Sequence, residues 1–274
     1  MRPSVLALVL MLLAGCGRQG TEPWLGYAEG DSALIAAPQA GWVSDLRVER
    51  GSVVKTGDLL FRLDDTAQTA ARDQASAQIA QAEGQLGQAR ATLDLAAKQL
   101  ARQRGLLRSG ATSKQALDQA QSAYDAARAA LAQIAGTEQQ ARATLSGATY
   151  QLSQRDVIAR TSGIVQDIYF RPGEYVAAMT PVVSVLPPAN IYVRFFVPET
   201  QFARVKLGQR VRIHCDGCAT DLTATVTFIA AQQEFTPPVI FSVGNREKLV
   251  FKVEARVPGG LKLHPGQPVD VSAL

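Results

Sequence analysis

Ala37-Pro38-Gln39-Ala40-Gly41-Trp42-Val43-Ser44-Asp45-Leu46 returns 122 positions later as Ala159-Arg160-Thr161-Ser162-Gly163-Ile164-Val165-Gln166-Asp167-Ile168. The first copy runs on through Val48, Gly51, Val54 and Leu60, the second through Phe170, Gly173, Val176 and Val182, so glycines and apolar positions stay in register. Each copy alone is too short to bury a hydrophobic face, which predicts that the two pair into one small β-module. Pairing brings together the ends of the chain between them. That chain must therefore go out and come back, as a spike on a small base.

The inserted segment has the sequence for such a path. Ile79, Leu86, Leu93, Leu100 and Leu107 lie seven apart, with Ala75, Ala82, Ala89 and Ala96 between them. This is the alternating four-three spacing of a coiled-coil seam. Leu117, Tyr124, Leu131, Leu145 and Leu152 continue it on the way back, with Ala120, Ala127, Ile134, Ala141 and Ala148; Glu138 is the polar residue on that stripe. Alanines facing leucines let two helices approach closely, and arms of roughly 40 residues reach about 60 Å at 1.5 Å per residue. Gly84, Gly87, Gly105, Gly136 and Gly147 each cost about 1 kcal/mol against alanine, which packing must offset. The break falls at Arg108-Ser109-Gly110-Ala111-Thr112-Ser113, with Gly110 as a C-terminal cap and Ser113 as an N-cap.

The N-terminus reads separately. Arg2 precedes an apolar run from Val5 to Leu13 that is too short to span a bilayer, and the run ends in Leu13-Ala14-Gly15-Cys16. This resembles a lipoprotein signal, in which the cysteine is acylated and becomes the new N-terminus. Residues 1–15 are then a signal peptide and 16–26 a lipidated linker. No apolar run of about 18 residues follows Cys16, so the lipid is the expected anchor. A net charge of +4 on 274 residues, without a basic block carrying interleaved aromatics, gives no support for nucleic-acid binding.

After Pro187-Pro188 the periodicity falls to two, through Ile191–Val197, Arg210–Ile213, Thr223–Ile229, Leu249–Ala255 and Pro268–Val271. Short strands between Gly and Pro turns predict a small antiparallel barrel over 188–274, with 27–36 as its first strand. Cys215-Asp216-Gly217-Cys218 places two cysteines across a tight turn. In an exported protein the pair reads as a disulfide; free thiols, or a metal site with His214, are the alternatives. His214 and His264 are the only histidines. With no nucleophile triad, phosphate loop or carboxylate pair standing out, the expectation is a non-enzyme without a cofactor.

Repeated half-motifs around a coiled-coil hairpin, behind a lipoprotein signal, resemble the periplasmic adaptors, or membrane fusion proteins, of the HlyD secretion family. The resemblance covers nearly the whole mature chain. It implies an α+β fold: a long antiparallel coiled-coil hairpin (65–155, tip about 108–113) inserted in a lipoyl/biotinyl-like domain (37–64 and 156–187), plus the barrel. It also implies an inner-membrane transporter partner, a TolC-like outer-membrane channel, and self-association into a hexameric ring. Arg102, Leu106 and Ser113 fit the family's Arg-x3-Leu-x6-Ser docking motif and flank the expected turn. Lys55 lies in a turn within one half, not at the position where a true carrier presents its lysine. Phe235-Thr236-Pro237-Pro238 and Arg246-x2-Leu249-Val250-Phe251 look most like adaptors of ABC exporters, and the chain ends with the barrel. Both tilt the expectation to an ABC partner over an RND- or MFS-type one. The expected location is the periplasmic face of the inner membrane. A metal-related binding module and a purely structural envelope lipoprotein are the competing readings.

Overall fold

The computed structural model describes residues 23–218, 222–235, 249–257, 260 and 263–274. Cys16 and its leader lie outside the described residues, as do Thr236, Pro237, Pro238 and Arg246. In chain order the elements are β1 (Trp24–Gly30), β2 (Ala33–Ala36), β3 (Gly41–Leu46), β4 (Val53–Val54), β5 (Leu59–Leu63), α1 (Thr66–Arg108) and α2 (Lys114–Ser153). There follow β6 (Asp156–Ile158), β7 (Gly163–Ile168), β8 (Tyr175–Val176), β9 (Pro181–Leu186), β10 (Ile191–Pro198), β11 (Arg210–His214), β12 (Leu222–Phe235), β13 (Leu249–Arg256) and β14 (Pro268–Ala273). The chain divides into two compact units: Leu34–Val185, and the chain up to Ala33 together with Leu186–Leu274.

In the first unit the repeat builds two four-stranded sheets, ordered β2-β9-β7-β4 and β6-β5-β3-β8. The two copies exchange equivalent bonds. Gly51 donates its N–H to the Val165 carbonyl at 2.8 Å, and Gly173 donates to the Val43 carbonyl at 2.8 Å. Gly57 donates to Ala159 and Met179 to Ala37, both at 2.8 Å. Every one of these residues is the other copy's counterpart 122 positions away. The unit is thus a pseudo-two-fold sandwich in which each half completes the other. Its core repeats in pairs: Val43 with Val165, Val54 with Val176, Leu60 with Val182, Ala37 with Ala159, all buried. Gly51 and Gly173 turn the chain at positive φ (85° and 92°), a conformation glycine adopts without steric cost.

The hairpin leaves this sandwich after β5 and returns before β6. Asp64 accepts bonds from the Thr66 N–H and hydroxyl as α1 starts, at 3.2 and 2.7 Å. The Thr66 hydroxyl and N–H hold the Asp64 carboxyl below its ordinary range. At the other end the buried Arg155 donates to the Ala40 carbonyl at 2.9 Å. A Cβ on Gly41 would come 2.6 Å from that guanidinium, so glycine is needed for the hairpin root to seat. Along the arms Ala75, Ala82, Leu86, Ala89, Ala96 and Leu100 of α1 are buried, while the α2 seam residues are half-buried. Burying a leucine side chain contributes roughly 1.5–3 kcal/mol. Arg142 reaches both Glu138 on the seam and Glu83 of the opposite arm. The helical glycines face open space, so they serve no close helix approach.

The second unit is a closed barrel in the order β1-β10-β13-β12-β11-β14, antiparallel throughout. The expected first strand, 27–36, needs correcting. β1 begins at Trp24, whose ring is buried, and stops at Gly30, while Ala33–Ala36 joins β9 in the other unit's sheet. Two bonds hold the break: Asp31 donates its N–H to the Asn190 carbonyl, and the Asn190 amide donates to the Asp31 carbonyl. These bonds mark where the chain leaves the barrel. With that change the fold is α+β, as expected, with a helical hairpin inserted in one β domain and a separate small barrel.

Candidate docking site at the hairpin tip

α1 closes through its last carbonyls. Ala111 donates to the Leu106 carbonyl at 2.9 Å and Gly110 to Leu107 at 3.1 Å, with Gly110 at φ 72°. This is the left-handed C-terminal cap that glycine favours. The Ser109 hydroxyl adds a bond to Leu106 at 3.0 Å, and Thr112 donates to Gln103 Oε1 at 2.9 Å. Ser113 sits at the N-cap of α2 in extended conformation, its hydroxyl accepting the Ala116 N–H at 3.1 Å. The turn is thereby held by side chains on both helices.

Arg102 and Leu106 are four residues apart on α1 and share a face. Leu106 is 37% exposed although apolar. Arg102 is exposed and has no ion pair among the described residues. Arg104 instead donates to Gln121 Oε1 at 2.7 Å, and Gln121 donates on to Asp125 at 3.1 Å, tying the arms below the turn. Ser113 spends its hydroxyl on the helix, so in this site it shapes the turn and leaves Arg102 and Leu106 as the free surface. Thr112, Gln103 and Gln121 were not singled out from sequence; polar residues at these spacings give no signal until the two arms are placed side by side.

Elsewhere the candidate chemistry stays apart. Lys55 stands in the turn between β4 and β5, where Asp58 Oδ2 accepts its backbone N–H at 2.8 Å. Cys215 and Cys218 are joined as a disulfide, Cα atoms 5.4 Å apart, across the turn with Gly217 at φ 78°. Among the described residues no group of three or more His, Cys, Asp or Glu side chains comes together. On the barrel's outer face Tyr192 donates to Glu29 at 2.7 Å, and Arg194 bonds Glu29 at 2.6 Å and Glu254 at 3.0 Å. Burial, then the Glu29 hydrogen bond, pushes the Tyr192 phenol well above its ordinary range. This cluster stitches β1, β10 and β13 together.

The tip offers a surface for contact, and the hairpin that carries it resembles known proteins. The family described as RND MFP, alpha-helical hairpin domain matches residues 78–155. A UPF0194 membrane protein of Acidithiobacillus ferridurans is 29% identical over 271 residues, spanning 84% of this chain and 80% of its own. The colistin resistance protein EmrA of Acinetobacter baumannii is 24% identical over 282 residues, covering 84% and 78% of the two chains. MacA from Actinobacillus actinomycetemcomitans has the same fold, with a TM-score of 0.69 over 93% of this chain and 79% of its own, at 20% identity.

The chain is similar to the membrane fusion proteins, in the sequence of its hairpin and in its fold.

No described helix is long and apolar enough to cross a membrane.

Proposed function

We propose that the chain is a periplasmic adaptor that bridges an ABC-type inner-membrane transporter to a TolC-like outer-membrane channel, with the hairpin tip as the channel contact. The observation that carries this is the exposed Arg102–Leu106 face beside a turn already closed by Ser113 and Gly110. A surface leucine and an unpaired arginine at the end of a long arm are suited to docking, since arginine is enriched at the anchors of protein interfaces. Cys16 acylation tethers the base to the inner membrane, and copies assemble head to tail into a closed hexamer. The adaptor lines and seals the route and couples the transporter's cycle to the channel; no covalent step passes through it.

The ABC assignment draws on the stretch from Phe235 to Phe251. A second reading, an RND-type partner, is favoured by the match of the hairpin to a family of that description. Affinity capture of the adaptor from solubilised envelopes separates the two. The expected co-purifying proteins are an outer-membrane channel and a transporter bearing nucleotide-binding domains. Recovery of an RND pump overturns the ABC assignment, and recovery of neither protein overturns the bridge.

The Cys215–Cys218 pair we read as a lasting clip of the β-turn, worth about 2 kcal/mol for so short a loop. Thiol titration of the denatured mature adaptor tests this together with the anchor. An acylated Cys16 and an oxidised pair leave no reactive thiol, and reduction then releases Cys215 and Cys218. Two thiols before reduction contradict the clip, and one contradicts the acylation.

A further inference from the structure

The barrel has two unlike ends. At one, Gly30 of β1 pairs with Ile191 of β10, where the chain passes to and from the other unit. At the other stands Trp24, the first residue of β1, its ring buried against Phe195 and its indole N–H bonded to Gln201 at 2.8 Å. Gln201 belongs to a short 3-10 turn, Glu199–Arg204, that is seated on this end. Phe202 stacks on Phe251 with ring centroids 3.8 Å apart, and Val205 enters the barrel core. With those side chains turned in, Ala203, Arg204, Lys206 and Leu207 are left exposed.

The next turn is closed twice. Gln209 donates its N–H to the Lys206 carbonyl at 3.1 Å, and the Lys206 N–H donates to Gln209 Oε1 at 2.9 Å. Gly208 takes φ 81° there and donates its N–H to the Val226 carbonyl at 2.9 Å, which fixes the turn against β12. Leu207 is thus displayed at the corner of a held turn, 69% exposed, and Leu25 beside Trp24 is 70% exposed. Arg204, Lys206 and Arg210 are exposed and have no ion pair among the described residues, although Arg210 donates to Thr223 Oγ1 at 3.1 Å. Glu199 is the opposing acid. Glu234 and Lys252 pair with each other at 2.8 Å, and Arg212 and Asp270, further in along β11 and β14, balance in charge. Among the described residues this end therefore joins apolar side chains to an excess of positive charge.

The chain upstream says what such a surface meets. Trp24 comes eight residues after Cys16, a reach of at most about 28 Å. An acylated Cys16 sits at the lipid headgroups and keeps this end of the barrel within that reach of the bilayer. So short a tether makes the second contact intramolecular, and a contact too weak to bind alone becomes populated. We infer that the Trp24 end of the barrel rests on anionic lipid headgroups, Arg204, Lys206 and Arg210 facing the phosphates and Leu207 entering the interface. Each Lys or Arg near an anionic surface strengthens the contact about fivefold, and the exposed leucine gains by leaving water. The inference rests on the acyl anchor proposed above. It adds a second attachment, which orients a barrel that the lipid alone leaves free to swing.

The full acylated adaptor, spin-labelled at Ala203→Cys beside the cations or at Ser32→Cys beyond the opposite end of β1, tests this in vesicles. Cys16 is blocked by its lipid and Cys215 and Cys218 by their bond, so the label goes to the new cysteine. In phosphatidylethanolamine/phosphatidylglycerol vesicles the label at 203 is expected to be shielded from a water-soluble nickel chelate and open to oxygen, while the label at 32 stays open to the chelate. In phosphatidylcholine vesicles, and at 1 M salt, where the screening length falls to about 3 Å, both labels should be open to the chelate. Arg204→Glu with Lys206→Glu should lower the shielded population at least about twentyfold without releasing the adaptor from the vesicles. Equal accessibility at 203 and 32 in an adaptor that floats with anionic vesicles overturns the surface and leaves the anchor standing. Failure to float overturns the anchor and the inference with it. Shielding that persists in phosphatidylcholine or in the charge-reversed variant contradicts the anionic headgroup as the occupant. Shielding found only in native envelopes assigns this end to a protein partner and overturns the inference.

Discussion

Replacing Leu106 by Asp is expected to abolish substrate export while the adaptor remains folded, at normal level and attached to the envelope. Leu106 lies on the last turn of α1, 37% accessible, so its loss removes part of the packing at the end of the hairpin, about 1 kcal/mol, and leaves the rest of the seam in place. An acid near a helix C-terminus adds a penalty of about 0.3–1 kcal/mol from the dipole. Against a channel the arithmetic differs, because a central interface residue is worth about 2–4 kcal/mol or more. That is roughly thirty- to thousandfold in affinity. Arg102→Asp should act the same way, since its guanidinium has no ion pair within the described chain to lose. Export measured by substrate accumulation, with far-ultraviolet circular dichroism and membrane fractionation as controls, gives the result. Unchanged export in both variants overturns the tip assignment.

Phe195→Ala is expected to cost about 3–5 kcal/mol of barrel stability. Phe195 is fully buried on β10, a strand bonded on one side to β1 and on the other to β13. Its ring stacks on Trp24 with centroids 5.6 Å apart, and the Trp24 indole N–H donates to Gln201 at 2.8 Å. Truncation opens a cavity beside a bonded aromatic that cannot collapse into it without losing that hydrogen bond. For a domain whose whole stability is about 5–15 kcal/mol, such a loss brings it close to unfolding. Urea titration followed by Trp24 fluorescence in a Trp42→Phe background reads the barrel alone, because Trp42 belongs to the other unit. A shift below about 1 kcal/mol would show that Phe195 is not the packing centre of this barrel.

Much of this was legible in the chain, for reasons that differ by region. The register of Gly41 with Gly163 and of Val54 with Val176 is a direct record of the pseudo-two-fold, because each copy must present the same side chains to the same shared core. The heptad of Ile79 to Leu107 is legible because a seam depends only on spacing along one helix. The partner of Ala33–Ala36 is not legible, because four apolar residues carry no information about which distant strand will pair with them. The same limit hid the Glu29–Tyr192–Arg194–Glu254 cluster, whose members lie on three strands and meet only through cross-strand register. At the tip the motif residues could be numbered, but not their division of labour. That Ser113 is occupied by the Ala116 N–H while Leu106 stays exposed depends on the turn's geometry.

A hairpin tip that touches the outer-membrane channel can be caught there by site-specific photocross-linking. A photoreactive amino acid placed at position 106 of the full-length adaptor is expected, on illumination of living cells, to give an adduct containing that channel. The same group at position 73, exposed near the root of α1, should give none. An adduct at both positions, or at neither while the adaptor still supports export, would contradict this contact.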